Sequence, residues 1–559
     1  MKKKTFNKVI GIGASTWLVI ILFFPIELIE AMLSFSFFVL VPIVLTLTFE
    51  RSAEGFIFTL YRVLQFLYYP SALLATIGLF ISPGFISGLF SLIWLIYTII
   101  LGGYGLGRLL YRGGVPHEEL VIDAAFIFLV LGGGWLVLHQ FGVEGLPFSS
   151  VIVLLTAIHF HYSSFIVLIF TGMLGRFIVQ NNLSIRGYSF IIYGMIAGPL
   201  LVAAGITIGG VLEFISVVVY VILLYWLGGI TIWIMLSSSV KSWGNYCIAF
   251  SSMCLLGTMA LSFLYSYGIT FGPFLLTIPD MVLFHGVGNA FFYAFIGVLG
   301  WLKVKPDPRD DYYSVEISQL RGKGAIGESF IKQSDLIDDT KEKGGLVDQF
   351  HTYRNESFHT EAVHPTIQHF YENTTAYRMK AKTKWHRGFR FLSKLYHTIT
   401  SSVEQLNLEP HRASLKEQEM IGQVIPIKEK MDGREDPRVW IRKDNEENHT
   451  IFVAIYSYYE HENIPYMNIA LPLPRSVMTG VLRFNNDQDN GLILTTKRKR
   501  DRTGHEGIYL TFRSITVRLP ISESFHIKEV GQRRLTAKHS MTLWGFPCLT
   551  IDYSIWMEK

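Results

Sequence analysis

Ten apolar runs divide the first 305 residues, at about 9–24, 28–49, 66–82, 84–103, 119–138, 148–174, 187–208, 211–236, 246–266 and 275–302. A hydrocarbon core about 30 Å thick is crossed by a helix of about 20 apolar residues, because only an element that satisfies its own backbone hydrogen bonds survives there. A chain patterned in this way folds as an α-helical polytopic bundle of about ten spans. Only Ser82-Pro83-Gly84 separates the third and fourth runs, which marks a tight turn. The start Met1-Lys2-Lys3-Lys4 and the run that follows have the outline of a signal peptide. No Ala-x-Ala cleavage pattern follows and a second run begins almost at once, so the first run is expected to remain as a span.

Charge distribution supports the count. Only 13 of the 49 Lys/Arg fall in residues 1–305, and they follow alternate runs. Lys2, Lys3, Lys4 and Lys8 precede the first; Arg51 and Arg62 follow the second, Arg108 and Arg112 the fourth, Arg176 and Arg186 the sixth, Lys241 the eighth, Lys303 and Lys305 the tenth. The loops 139–148 and 267–273 carry no Lys or Arg. By the positive-inside rule both termini are expected in the cytoplasm, in a multi-pass protein of the cell (inner) membrane. Close helix packing is expected at Gly194-Met195-Ile196-Ala197-Gly198, a GxxxG, and at Gly132-Gly133-Gly134. Pro42, Pro70, Pro199 and Pro279 mark expected kinks. Three cysteines, none in a C-x-x-C, make no disulfide framework.

Two spans carry polar residues that hydrocarbon penalises. His159 and His161 lie in the sixth run; Asp280, His285 and Asn289 lie in the tenth. An ionisable residue at such depth marks a functional site by default. Counting 1.5 Å per residue, both histidine sets sit roughly 15–21 Å from the outer boundary. Asp280 and Glu213 are shallower, and Asp123 lies near the inner end of the fifth span. His159 shares a face with Thr156 and Ser163, while His161 points about 200° away, so both histidines reach one neighbour only if the helix is distorted. His285 and Asn289 share a face at i, i+4, and His285 is expected within reach of His159 or His161. Three readings stay open: polar residues that join helices by hydrogen bonds, a proton or substrate pathway through Asp280, Glu213, Asn289 and the histidines, and haem or transition-metal ligation by His159, His161 and His285.

The stretch 156–165, Thr-Ala-Ile-His-Phe-His-Tyr-Ser-Ser-Phe, and the stretch 280–290, Asp-Met-Val-Leu-Phe-His-Gly-Val-Gly-Asn-Ala, resemble segments of the YndJ-like family of bacterial membrane proteins. The C-terminal half is similar to the extension of longer members. The resemblance implies a bacterial inner-membrane protein and names no activity. Ser163-Ser164 stands where that family suggests Ala or Gly, a departure that bears on helix packing.

The remaining 36 Lys/Arg lie in residues 306–559, which reads as a water-exposed, cytosolic half. Residues 306–345 read as a linker rich in Asp, Lys, Gly and Ser. Its Gly322-Lys323-Gly324-Ala325-Ile326-Gly327 matches G-x-G-x-x-G, but no strand precedes it and no helix follows, so dinucleotide binding is rejected. Residues 346–415 read as a helical segment, since Phe370, Tyr377, Trp385, Phe389, Phe391, Leu392, Leu395 and Tyr396 recur at helical spacing. His351, His359, His364 and His369 fit no zinc motif. Residues 416–559 alternate with period two between turns, predicting an antiparallel β meander closed into a barrel or sandwich. Its aromatic residues either fill a core or enclose one small apolar ligand.

Lys497, Arg498, Lys499 and Arg500 form a basic hairpin tip, either simply solvated or suited to anionic lipid headgroups; no nucleic-acid module accompanies it. No nucleophile elbow, phosphate loop, H-E-x-x-H or kinase set occurs. Whether the chain is an enzyme, and its oligomeric state, are left open. The expected function is that of an integral membrane protein whose intramembrane His/Asp/Asn site handles or transports a small or lipidic molecule. The alternatives are a haem- or metal-dependent membrane enzyme and a structural membrane protein.

Overall fold

The computed structural model describes residues 3–558 except 50–54, 113–115, 239–240, 309–314, 328–329, 332–334, 343, 412–416, 447–448, 499–503 and 514. The chain divides into two compact units, Met1–Tyr312 and Tyr313–Lys559.

The first unit is a helical bundle: α1 (Lys3–Phe23), α2 (Leu28–Leu47), α3 (Gly55–Leu79), α4 (Phe85–Arg112), α5 (His117–Gln140), α6 (Ser150–Gln180), α7 (Tyr188–Ile208), α8 (Gly210–Ser237), α9 (Trp243–Phe271) and α10 (Ile278–Val304). Among the described residues, nine of these are long and apolar enough to cross a membrane. The tenth, α3, has the length at 25 residues. Its apolarity is diluted by Arg62, Gln65 and the polar stretch 68–71, although Leu64, Tyr68 and Ala72 are buried in the bundle. α2 and α6 form the centre: 78% and 72% of their apolar stretches are buried, against 17% for α1.

Three of these helices contain π-helical turns, at Ser36–Leu40 in α2, Tyr162–Ile166 in α6, and Met281–Gly286 and Gly288–Phe295 in α10. Such turns widen the helix and re-aim side chains, and they recur at functional sites. The GxxxG of α7 meets α8: a Cβ at Gly198 would lie 2.2 Å from Tyr220, and one at Gly194 2.9 Å from Leu223. Pro70 and Pro199 lie inside helices. Pro279 instead occupies the first turn of α10, where a missing N–H costs nothing.

The second unit is a β-barrel with attached segments. Its strands are β1 (Tyr377–Trp385), β2 (Gln418–Pro426), β3 (Arg438–Asp444), β4 (Thr450–His461), β5 (Ile464–Leu473), β6 (Ser476–Asn486), β7 (Leu492–Thr495), β8 (Gly507–Phe512), β9 (Ile515–Leu519), β10 (Ile521–Glu529), β11 (Arg534–Leu543) and β12 (Phe546–Met557). All pairings are antiparallel, in the order β5-β4-β3-β2-β1-β12-β11-β10-β7-β6, and β6 returns to β5, closing ten strands. The register Tyr377↔Met557 to Trp385↔Leu549 joins the first strand to the last. The hairpin β8–β9 continues from the first half of β6. Inward residues including Trp440, Phe452, Tyr456, Phe484 and Tyr553 form one core.

Two stretches differ from expectation. Tyr377–Trp385, assigned above to a helical block, is a strand whose burial alternates along its whole length. Its Tyr-x-Met-x-Ala-x-Thr-x-Trp spacing is period two, which widely spaced aromatics on either side obscured; helices flank it at Pro365–Glu372 and Leu392–Val403. The stretch expected as a linker contributes to the second unit: Leu320, Ile326, Ile331 and Leu336 pack on Val439, Ile441, Val453 and Ile455. β3 and β4 are apolar on both faces, so their outer face requires a cover, and a few apolar residues in a polar segment suffice for that.

Candidate functional site

α6 is capped by Ser149, whose hydroxyl accepts from the Ile152 amide at 3.5 Å, and its first α-helical part ends at His161, α-helix resuming at Val167 after the π turn. Its two histidines diverge. His161 is 0% exposed. Its Nδ1 lies 2.8 Å from the Ala157 carbonyl and its Nε2 3.0 Å from Trp94 Nε1 on α4. Since indole can only donate, Nε2 accepts and Nδ1 carries the proton that Ala157 accepts. Phe37 of α2 packs on the imidazole at 5.3 Å, and α5 approaches so closely that a Cβ at Gly132 would lie 2.8 Å from Nδ1.

His159 takes the other direction. Its Nδ1 is 2.6 Å from the Leu155 carbonyl, its ring is exposed on the bundle, and its centroid lies 6.4 Å from that of His285 on α10. His285 is half-buried. Its Nδ1 meets the Thr258 carbonyl and the Ser262 hydroxyl of α9, each at 3.0 Å, and its Nε2 lies 3.3 Å from Asn289 Nδ2. Asn289 accepts from Thr258 Oγ1 at 2.9 Å and donates to the His285 carbonyl at 2.9 Å. Thr258, Ser262, His285 and Asn289 thus form one network, with His159 beside it. Ser163 joins α6 to α8 through Tyr220 at 3.2 Å, and Tyr162 donates to the Met32 carbonyl of α2 at 2.7 Å.

The structure does not draw the other candidates into this group. Asp280 caps its own helix: it accepts from the Thr277 amide at 2.9 Å and from its hydroxyl at 2.6 Å. Glu213 stands in the first turn of α8. The three histidines do not converge, and among the described residues no three His, Cys, Asp or Glu side chains gather as a metal site. Both ring nitrogens of His161 and of His285 are engaged in hydrogen bonds. In the second unit Lys497 is exposed and Arg498 half-buried. Lys499 and Arg500 lie outside the described residues.

One charged cluster was not foreseen. Arg176 of α6 grips Glu119 of α5 with two bonds, Nε to Oε1 at 2.6 Å and Nη2 to Oε2 at 2.7 Å. Arg108 of α4 reaches Glu119 and Asp123, each at 2.9 Å, and the Thr48 carbonyl at 3.3 Å. Arg112 pairs with Asp123 and reaches Glu119 at 3.3 Å. All five side chains are at most 3% exposed. The signal existed in the sequence: Arg108/Arg112 and Glu119/Asp123 are both i, i+4 pairs, on helices joined by a short loop. As flanking charges of the spans, the arginines conceal this pairing in the sequence.

Spans that bury polar networks, in a chain that also folds a closed β unit, define a multi-pass integral membrane protein. The family model described as "YndJ-like protein" matches residues 31–293, which include His159, His161 and His285. The chain is 37% identical over 469 residues to "Uncharacterized membrane protein YndJ" of Bacillus subtilis (strain 168), an alignment covering 84% of each chain. The chain belongs to the YndJ-like family. At 469 residues the likeness extends beyond the helical unit into the β unit. No solved structure gives a significant match.

Proposed function

We propose that the membrane unit handles or transports a small or lipidic molecule at the site formed by His159, His285 and Asn289, in a multi-pass protein of the cell membrane with both termini cytoplasmic. One observation carries this reading: His159 is exposed on the bundle midway along an apolar span, beside His285 at 6.4 Å. An imidazole at that depth is costly without a polar partner. Its Nδ1 has the Leu155 carbonyl. The outward edge of the ring is where the polar end of a lipid, or a solute, supplies the rest. Asp280 and Glu213 belong near the outer mouth of this route. Flanking π turns favour a functional over a purely architectural segment.

The joining role fits His161, which is fully buried with both nitrogens engaged. Thr258, Ser262 and Asn289 orient His285 from α9 and α10. The exposed Lys497 and its basic neighbours suit anionic headgroups.

The test is native mass spectrometry of the full chain in lipid nanodiscs, together with movement of headgroup-labelled lipid across proteoliposome membranes. A retained lipid or accelerated movement is expected in the wild type, falling at least fivefold in His159→Ala and His285→Ala at unchanged folded yield. Equal retention and equal rates in wild type, variants and empty membranes would sink the reading.

A further inference from the structure

The β-barrel holds a cavity of about 90 Å³ among its inward side chains. At about 30 Å³ per water this is room for about three waters, or a molecule of about four to six non-hydrogen atoms. Its walls are chiefly apolar, supplied by residues such as Met379, Met467, Leu494 and Ile527, and Leu346, Phe370 and Tyr371 also line it.

Into these walls β3 places Trp440 and Arg442, two residues apart and so on one face of the strand. Arg442 lies between aromatic rings, its guanidinium carbon 4.5 Å from the Trp440 centroid and 4.2 Å from that of Phe452. Arg442 is half-buried and bonded to the Tyr553 hydroxyl; among the described residues no carboxylate lies within ion-pair distance of it, and its Nε has no hydrogen-bond partner. The indole Nε1 of Trp440, a residue 6% exposed, is likewise without an acceptor. The nearby acid, Glu523, is already held by His539 at 3.0 Å. His539 stacks on Phe525 at 3.8 Å and its Nδ1 is unpartnered. Gly422 of β2 makes room for the arrangement, since a Cβ there would lie 2.4 Å from Trp440 Nε1.

A buried N–H without an acceptor is costly, and a half-buried cation without a counter-charge favours an anion beside it. Two such donors and one cation beside an apolar space complement an anionic acceptor carrying a short apolar body. A carboxylate matches the planar guanidinium fork. We propose that the barrel binds a short-chain monocarboxylate of about two to four carbons, its carboxylate on Arg442 and Trp440 and its alkyl end against the apolar wall.

Titration calorimetry on the full chain in detergent tests this with butyrate, butylamine, butanol and inorganic phosphate as probes. Saturable binding is expected for butyrate alone, weakened at least tenfold in Arg442→Met. Ala537→Leu, which fills the lined space but keeps the arginine, is expected to lose binding to the same extent. Circular dichroism identifies any variant that fails to fold, and the comparison of the four probes on wild type requires no variant. The proposal is overturned if monocarboxylates of two to four carbons give no saturable heat, if butylamine, butanol or phosphate bind as well as butyrate, or if folded Arg442→Met keeps wild-type affinity.

Discussion

The indole nitrogen of Trp94 donates to Nε2 of His161 across 3.0 Å, in a part of the bundle where both side chains are fully buried. Trp94→Phe keeps the ring's bulk but leaves that imidazole nitrogen without its donor. A loss of about 1–3 kcal/mol is expected, read as an earlier thermal unfolding transition in detergent. His159→Ala, at an exposed position, should shift the transition by less than about 0.5 kcal/mol. Equal shifts would mean the two histidines do not differ in the way their surroundings indicate.

Glu119 receives three guanidinium groups, from Arg108, Arg112 and Arg176. Replacing it with Gln keeps the shape and leaves buried cations with one carboxylate fewer. Breaking such a cluster costs about 3–5 kcal/mol, so Glu119→Gln is expected to lower folded yield sharply. Size-exclusion recovery and protease resistance check it; wild-type behaviour would show that the cluster contributes little.

The three consecutive glycines of α5 are not equivalent. A Cβ at Gly132 meets His161 at 2.8 Å and one at Gly133 meets Thr98 at 2.5 Å, while Gly134 faces open space. Gly132→Ala and Gly133→Ala should destabilise by about 1–3 kcal/mol. Gly134→Ala should be neutral or slightly stabilising, because alanine is the better helix former. Melting curves of the three single variants decide it, and destabilisation by all three would refute the packing.

His505 lies buried in the second unit with Tyr459 bonded to its Nδ1 and the His461 ring stacked at 3.7 Å. Burial, aided by the charges of His461 and Arg498, lowers its pKa from 6.5 to about 3. Between those values the unfolded chain holds more protons on this residue than the folded one, so stability rises with pH through the window and is lost as pH falls from about 6.5 toward 3. The slope from this residue is at most about 1.4 kcal/mol per pH unit. Unfolding of the β signal across that range should flatten in His505→Asn, and an unchanged slope would assign the acid sensitivity elsewhere.

Orientation rests on Lys and Arg grouped at alternate ends of the spans. Cysteines introduced at Val143 and at Ser540, in a background without the native three, should separate. A membrane-impermeant maleimide applied to intact cells is expected to label the first and spare the second until the membrane is opened. Labelling of Ser540→Cys from outside would invert the topology.

The sequence made the bundle legible because apolar length is an unambiguous demand of the bilayer, and β3 to β12 because alternation and turn residues agree. It misled at Tyr377–Trp385, where lysines and arginines alternate with Tyr, Met, Ala, Thr and Trp, and flanking aromatics imitated a helical period. Depth arithmetic brought His159 and His285 to one level, and the structure sets them 6.4 Å apart. The separation of His159 from His161 followed from helical angle alone. The capping role of Asp280 was hidden by its place in an apolar run, although Thr277, three residues earlier, is the partner that a helix start provides. The five-residue ion cluster was missed because charges at span ends already had an explanation.

That cluster also bears on how the protein is made. A charge within a span opposes its partition into the bilayer, by about 2.5–3.5 kcal/mol at mid-depth and less near an end. Arg108 and Arg112 enter on one helix, Glu119 and Asp123 on the next, and Arg176 on the one after. None is neutralised while its helix is alone. The α4–α5 hairpin can cancel four of these charges internally, leaving the fifth to dock as α6 arrives. Biogenesis is therefore expected to hold α4 and α5 together as they leave the translocation machinery, and α6 to seal the set.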